Sequence, residues 1–194
     1  MALGYKGIAY DIEPIHLVQN GGEQFSERYS KLNPLQQVPS LLLDNGMILT
    51  QSIAIIEYLE ELYPNPSLRP SDVFLRAKMR EYTEIINAGI QPLQNLSLLL
   101  HLESLKEGAK LSWGRSVISK GLQALEEKSQ QTVGQFLIGD SFTMADCALL
   151  PQLYNARRFG CDLSTVPQLL RIEANCQAFD FVAEASPEHQ VDAQ

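Results

Sequence analysis

The sequence predicts a small α/β domain followed by an all-helical domain, and two observations carry this prediction. Strand-like and helix-like patterns are mixed up to about residue 64, whereas nearly every later pattern has helical spacing. Between the two regions, the segment 63–70 contains three prolines, which is typical of a linker. We therefore place the first domain at residues 1–64 and the second at residues 71–185.

The first domain begins with strand and turn signals. Residues 8–13 alternate apolar and polar side chains, the period of a half-buried strand. A short helical stretch then follows two glycines and ends at Leu32. The apolar runs 38–43 and 47–49 flank Asn45-Gly46, which predicts a hairpin whose two central turn residues have positive φ.

A helix is expected directly after the hairpin, with Ser52 as its N-cap. Its apolar residues recur on one face and its acidic residues on the other, so we expect the glutamates to face solvent. The apolar face comprises Ile55, Tyr58, Leu59 and Leu62, and the acidic face comprises Glu57, Glu60 and Glu61.

The second domain shows helical spacing almost throughout. Residues 75–86 carry apolar side chains at intervals of three and four, and so do residues 117–125. The capping box from Thr143 to Asp146 opens a helix that is apolar on most of its circumference. Asp146 is also a candidate acid, but its place in the box favours a structural role.

Composition excludes several classes of protein. The 194 residues are 45% hydrophobic and carry a net charge of −8, with no cluster of Lys and Arg, which argues against nucleic-acid binding. The longest mostly apolar run, residues 96–102, is too short to span a membrane, and no secretory leader is visible, so we expect a cytoplasmic protein. Three cysteines without a CxxC motif and three scattered histidines predict reduced thiols and no metal site.

Several motifs together resemble a known family. Asn33-Pro34, Gln37-Val38-Pro39 and the segments 51–59 and 143–146 occur in the order seen in glutathione transferases. The segments 89–97 (GIQPLQNLS) and 151–159 are similar to the zeta class, whose members are maleylacetoacetate isomerases. The likeness extends from Met1 to about Phe181.

The resemblance implies a glutathione transferase fold, with a thioredoxin-like first domain and a helical second domain. It also implies a homodimer that binds glutathione at the domain junction and acts on a small dicarboxylate. The expected reaction converts 4-maleylacetoacetate to 4-fumarylacetoacetate in tyrosine and phenylalanine breakdown. Two alternatives stay open: conjugation or dehalogenation of small α-halo acids, and a non-catalytic binding module.

Five residues of the first domain match glutathione-binding positions of the family: Gln24, Val38, Pro39, Gln51 and Ser52. A cis Pro39 leaves the N–H and C=O groups of Val38 free to pair with the cysteinyl part of glutathione, as an added strand would. Gln51 and Ser52 stand where a helix begins, and free N–H groups there favour a carboxylate. Read without the family, Gln24 is an ordinary solvated polar residue.

In the second domain, Gln91 matches a position that reaches the glutathione of the other subunit, and Asn95 and Ser97 match further contact positions on the same helix. The simpler reading of Gln91 is a polar residue beside a proline kink. Arg158 is the candidate for orienting the dicarboxylate, because a guanidinium suits a carboxylate. Its alternative role is a favourable interaction with the helix dipole.

The catalytic residues are not assigned from this sequence. In the zeta class, a Ser-Ser-Cys loop after the first strand lowers the pKa of the glutathione thiol, and Met1 to Gly7 match only the end of the helix that follows this loop. The family's first strand lies between residues 8–13 and the hairpin, so here residues 8–13 are expected to lack a ladder partner. The sequence is interpreted either as an incomplete version of a full enzyme or as a natural short form.

Overall fold

The structure is a computed structural model, and it describes residues 1–190. Two compact units are present, Met1–Ser67 together with residues 183–190, and Leu68–Val182, so the division falls inside the predicted linker. The helices are α1 (Ala2–Tyr5), α2 (Glu27–Leu32), α3 (Ser52–Leu62), α4 (Val73–Asn87), α5 (Leu96–Leu105), α6 (Ala109–Ser129), α7 (Met144–Arg158), α8 (Pro167–Cys176) and α9 (Asp180–Glu184). The strands are β1 (Ser40–Leu42) and β2 (Ile48–Thr50), and short 3₁₀ turns cover Gln19–Gly21, Glu23–Phe25, Gln91–Gln94, Leu163–Thr165 and Pro187–His189.

The hairpin of the first unit is confirmed, with a different turn from the predicted one. β1 and β2 pair antiparallel, and Ser40 lies opposite Thr50. The Leu43 N–H donates to the Met47 carbonyl at 2.9 Å, which leaves a three-residue loop of which only Gly46 has positive φ, at 81°. A loop of this length is built from a type I turn followed by one left-handed residue, so Asn45 does not need the conformation expected of it.

Residues 8–13, predicted to be a strand without a ladder partner, form no regular strand. The segment is extended but pairs with no strand in the part of the chain that the structure describes. The alternation of side chains is present, but a strand also needs a neighbour whose main chain supplies hydrogen bonds. This outcome agrees with the expectation that the segment has no ladder partner.

A buried ion pair anchors α1 to α3 and to the end of the first unit. The Lys6 ammonium lies 2.8 Å from the Glu60 carboxylate and also donates to the carbonyls of Tyr63 and Pro66. Glu60 is only 4% exposed, and the Ser67 hydroxyl donates to it at 2.6 Å. The expectation that Glu60 faces solvent is therefore wrong, because a partner 54 residues away turns this position of α3 inward.

The second unit is a helical assembly in which α4 packs on α7 and α5 on α6. α7 continues past its internal Pro151 and ends at Arg158. The core of the second unit is formed by fully buried side chains that include Tyr82, Ile86, Ile118, Leu122, Leu149 and Leu153.

The capping box of α7 is confirmed. The main-chain N–H and the hydroxyl of Thr143 donate to Asp146 Oδ2 at 2.8 and 2.9 Å, and the Leu137 N–H donates to Oδ1 at 3.0 Å. Burial raises the pKa of the Asp146 carboxyl from 3.8 to about 6, and these donors oppose the rise. The Asp146 carboxylate therefore caps the N-terminus of α7, as its position in the sequence predicts.

Candidate functional site

The pairing of the hairpin brings two predicted site segments to the same end of the sheet. Pro39 directly precedes Ser40 at the start of β1, and Gln51 directly follows Thr50 at the end of β2. Because Ser40 and Thr50 are cross-strand partners, Val38-Pro39 and Gln51-Ser52 emerge side by side. The Val38–Pro39 peptide bond is cis, as predicted.

The main chain of Val38 is held in place but left unpaired. Within residues 1–190, its N–H and C=O groups form no hydrogen bond. The preceding residue is fixed from two sides, because the Gln37 carbonyl accepts the Tyr29 hydroxyl at 2.8 Å and the Asn33 side-chain amide at 2.6 Å. The main chain of Val38 is therefore fixed in position, and its unpaired N–H and C=O groups can bind an extended ligand as a neighbouring strand would.

The N-terminus of α3 presents free donors at the same end of the hairpin. The first bond within the helix runs from the Ile55 N–H to the Gln51 carbonyl, so the N–H groups of the first three residues have no helical acceptor. Gln51 occupies the N-cap with φ +72°, a conformation that is rare outside glycine, and makes no side-chain cap bond. Such a helix end suits a carboxylate.

The role predicted for Ser52 as an N-cap is wrong. Ser52 is the first helical residue, and the N-cap is Gln51. The sequence signal was ambiguous because serine is common at the cap, whereas the end of β2 at Thr50 fixes where the helix can begin. No side-chain hydrogen bond from the N-cap residue closes the start of α3.

Gln24 is buried rather than solvated. It is 6% exposed, and its Nε2 donates to the Leu17 carbonyl at 3.3 Å. Its Oε1 is buried and has no hydrogen-bond donor among the described residues. An unpaired buried acceptor costs about 1–3 kcal/mol, so a hydrogen-bond donor from outside residues 1–190 would stabilise this oxygen.

Gly22 makes room for this amide, and the sequence reasoning missed it. Its φ is +99°, and a Cβ at this position would lie 2.7 Å from Gln24 Nε2. Glycine is the residue that tolerates both the positive φ and the close approach. The Gly21-Gly22 pair could have indicated this role, but it was interpreted only as the start of a helical stretch.

The predicted residues of the second unit do not share one helix. α4 ends at Asn87, Gln91 begins a 3₁₀ turn, and Asn95 is the N-cap of α5. The expectation of one helix is wrong because Pro92 lacks the N–H that a continuous helix needs. Asn95 Oδ1 accepts from the N–H and the hydroxyl of Ser97 at 3.0 and 2.8 Å, so this oxygen is used by the cap.

Arg158 ends α7 as an exposed cation. Its neighbour Arg157 is engaged in a two-pronged ion pair with Glu173, with N–O distances of 2.6 and 2.5 Å. That bond raises the pKa of Arg157. Arg158 forms no ion pair with any residue of the described range 1–190, so its guanidinium is open to an anionic ligand.

Two of the three cysteines of the second unit are shielded from solvent. Cys147 and Cys176 are buried, and burial raises the pKa of the Cys176 thiol, which keeps it protonated. Across residues 1–190, no three His, Cys, Asp or Glu side chains are grouped to hold a metal ion. None of the helices in this range is long and apolar enough to cross a membrane.

Comparison with known proteins identifies the family. The profile of the glutathione S-transferase N-terminal domain matches residues 1–62. The chain is 44% identical to probable maleylacetoacetate isomerase 2 of Drosophila melanogaster, covering 99% of this chain and 83% of that protein. It is 43% identical to the mouse maleylacetoacetate isomerase, covering 99% and 87%. The chain belongs to the zeta-class glutathione transferase and maleylacetoacetate isomerase family.

Solved structures of this family agree with the fold. The maleylacetoacetate isomerase of Anaeromyxobacter dehalogenans with bound glutathione is 42% identical, has a TM-score of 0.90, and covers 100% of this chain and 90% of that one. The maleylacetoacetate isomerase of Methylobacterium extorquens, bound to malonate and glutathione, is 31% identical with a TM-score of 0.94 and covers 100% and 92%. The predicted glutathione transferase fold is confirmed.

Proposed function

We propose that this protein is a glutathione-dependent isomerase that converts 4-maleylacetoacetate to 4-fumarylacetoacetate. The observation that carries the proposal is the unpaired Val38 main chain beside the free N-terminus of α3, in a chain of the maleylacetoacetate isomerase family. Bound glutathione supplies a thiol that adds reversibly to the cis double bond, so that the bond can rotate. The residues of this chain bind and orient both molecules.

Glutathione fits the first unit through three kinds of contact. The N–H and C=O of Val38 pair with the main chain of its cysteinyl residue, in the manner of strand addition. The γ-glutamyl carboxylate accepts from the free N–H groups at the start of α3, together with the side chains of Gln51 and Ser52. The buried Oε1 of Gln24 accepts from an N–H of the tripeptide, which removes the cost of leaving it unpaired.

The dicarboxylate substrate is assigned to Arg158. An unpaired, exposed guanidinium at this position forms a two-pronged bond with a carboxylate without first breaking an existing ion pair. Gln91, Asn95 and Ser97 are assigned to glutathione, with Gln91 serving the tripeptide held by the other subunit of a homodimer. Because the Asn95 Oδ1 is used by the cap, its amide nitrogen is the group left for a ligand.

We place this reaction in tyrosine and phenylalanine breakdown in the cytoplasm, and we expect the enzyme to be a homodimer. Light scattering during gel filtration tests the dimer directly, because a single chain has a mass of 21.7 kDa. A monomer over the whole concentration range would contradict the role given to Gln91.

Glutathione titration calorimetry combined with two activity assays tests the function. We expect saturable binding, isomerisation of maleylacetoacetate and little turnover of a small α-halo acid. Turnover of the halo acid alone would replace the isomerase by a dehalogenase. Glutathione binding without turnover of either compound would favour a non-catalytic binding module, and no binding would refute the glutathione site.

A further inference from the structure

The 3₁₀ turn Gln91–Gln94 joins α4 to α5 and lies beside the residues that we assign to glutathione in the second unit. Gln91 is its first residue, and Asn95 directly follows its last. The bond that closes the turn, from the Asn95 N–H to the Pro92 carbonyl, is 3.4 Å long, which is beyond the usual range. Because 3₁₀ bonds are also poorly aligned, the direction of this turn depends on contacts with other helices.

A reciprocal pair of amides joins the turn to α7. Gln94 Nε2 donates to Gln152 Oε1 at 2.9 Å, and Gln152 Nε2 donates to Gln94 Oε1 at 3.2 Å. Gln152 is 1% exposed and lies 58 residues away along the chain. Each amide supplies a donor and an acceptor to the other, which holds the two side chains in one relative orientation. The last residue of the turn is therefore tied to the middle of α7.

Contacts from α6 hold the rest of the turn. The indole N–H of Trp113 donates to the Leu93 carbonyl at 2.9 Å. Ile90, the N-cap residue of the turn, is fully buried over Gly121, where a Cβ would lie 2.4 Å from the Ile90 side chain. The main chain of the turn is thus held by α6, whereas the contact with α7 is made by the side chain of Gln94.

The geometry of the turn couples Gln91 to the amide pair. A 3₁₀ helix has three residues per turn, so the side chains of Gln91 and Gln94 leave the same side of it. Hydrogen bonds weaken steeply when they are misaligned, and the pair therefore resists rotation of the turn. Two apolar side chains of similar size would lack this effect, because apolar contact has no preferred direction. Fixing Gln94 thus fixes the direction in which Gln91 leaves the turn.

We propose that the Gln94–Gln152 amide pair orients Gln91 for glutathione, so that Gln152 is a positioning residue of the binding site. Gln152 is shielded from solvent, and it acts on a ligand only through Gln94 and the turn. This inference rests on the proposed role of Gln91 in glutathione binding. It adds a residue in the interior of α7 to the determinants of glutathione affinity.

Titration calorimetry of the full chain with glutathione tests the proposal on the variant Gln152→Met. We expect binding about three- to tenfold weaker, the factor that corresponds to one neutral hydrogen bond. Gln168→Met is the matched control, because Gln168 Nε2 donates to the Ser129 hydroxyl at 2.6 Å and this bond also joins two helices of the second unit. The control should bind glutathione as the parent does. Parent-like affinity of Gln152→Met would overturn the proposal.

The double variant Gln94→Met/Gln152→Met separates positioning from stability. It leaves neither amide without its partner, so the thermal stability lost in Gln152→Met should recover towards that of the parent. The direction imposed by the amides is still missing, and glutathione should bind as weakly as it does to Gln152→Met. Recovery of the affinity together with the stability would overturn the proposal. If Gln152→Met fails to fold, this double variant carries the test.

Gln91→Met distinguishes failure of this inference from failure of the proposed function. If Gln152 acts through Gln91, adding Gln152→Met to Gln91→Met should weaken glutathione binding no further. Additive losses, or a loss in Gln91→Met but none in Gln152→Met, would overturn the positioning role and leave the proposed role of Gln91 intact. Parent-like binding by Gln91→Met would refute the role of Gln91 itself, and this inference with it.

Discussion

Ser40 lies directly opposite Thr50, and this one pairing positions the candidate site. It places the unpaired main chain of Val38 next to the free donors at the start of α3, although the two segments are separated by the whole hairpin. A one-residue shift in register would move every partner and turn the side chains to the opposite face. The hairpin is thus as much a part of the site as the residues that contact a ligand.

Gln24→Met is expected to separate binding from stability. The substitution removes a buried acceptor that no described residue satisfies, so the free energy of unfolding should stay the same or rise by about 1 kcal/mol. Glutathione should bind about tenfold more weakly. Calorimetry and urea denaturation measure the two effects, with exposed Gln19→Met as the control. Unchanged affinity would remove Gln24 from the site.

Lys6→Met is expected to destabilise the first unit strongly. It leaves the Glu60 carboxylate buried without its cation, which costs about 3–5 kcal/mol in comparable pairs. Lys31→Met is the matched control, because Lys31 pairs with Glu27 on the surface and such pairs contribute about 0–1 kcal/mol. Urea denaturation of both variants compares them. Equal losses in the two variants would show that burial does not decide the strength of the Lys6 pair.

Asp146 is expected to make stability depend on pH. Its folded-state pKa of about 6 lies above the ordinary 3.8, so the folded chain binds this proton more tightly than the unfolded chain does. The stability it contributes is therefore full below about pH 4 and is lost as the pH rises through 6. The shift corresponds to about 3 kcal/mol.

Asp146→Asn provides the reference for this effect, because its side chain does not titrate. Denaturation of both proteins between about pH 4 and pH 7.5 should show the parent losing stability relative to the variant as the pH rises. If the difference in the free energy of unfolding between the parent and the variant is constant over this range, the burial effect on the Asp146 pKa is contradicted. If the parent instead gains stability relative to the variant as the pH rises, the hydrogen bonds from Thr143 and Leu137 outweigh the effect of burial on the Asp146 pKa.

The two neighbouring arginines at the end of α7 should behave differently. Arg158→Gln removes an exposed cation without an ion pair, so we expect a higher KM for the dicarboxylate and an unchanged free energy of unfolding. Arg157→Gln breaks the bond to the largely buried Glu173 and is expected to lower stability. Kinetic assays and thermal denaturation distinguish them. An unchanged KM in the Arg158 variant would leave the substrate carboxylate without its proposed partner.

Local signals in the sequence predicted much of the site. The hairpin follows from two apolar runs around Gly46, and the start of α7 follows from the box between Thr143 and Asp146. The cis bond before Pro39 was expected from family resemblance rather than from composition or spacing. The hairpin and the start of α7 depend on neighbours within a few residues, which the sequence displays directly.

The other features of the fold and the site depend on tertiary contacts that the sequence does not reveal. Glu60 is buried because Lys6 reaches it from 54 residues away, and the acidic face of α3 gave no sign of this. The buried state of Gln24 depends on the space left by Gly22. Residues 8–13 have the alternation of a strand, but alternation carries no information about whether a neighbour is present.

Amide exchange measured by NMR, with and without saturating glutathione, tests the central claim most directly. The account predicts that glutathione slows exchange at the N–H of Val38 and at those of Ser52, Ile53 and Ala54, which have no helical acceptor. The N–H of Asn45, in the turn at the far end of the hairpin, serves as the control and should not change. Unchanged exchange at Val38 under saturating glutathione would contradict the account.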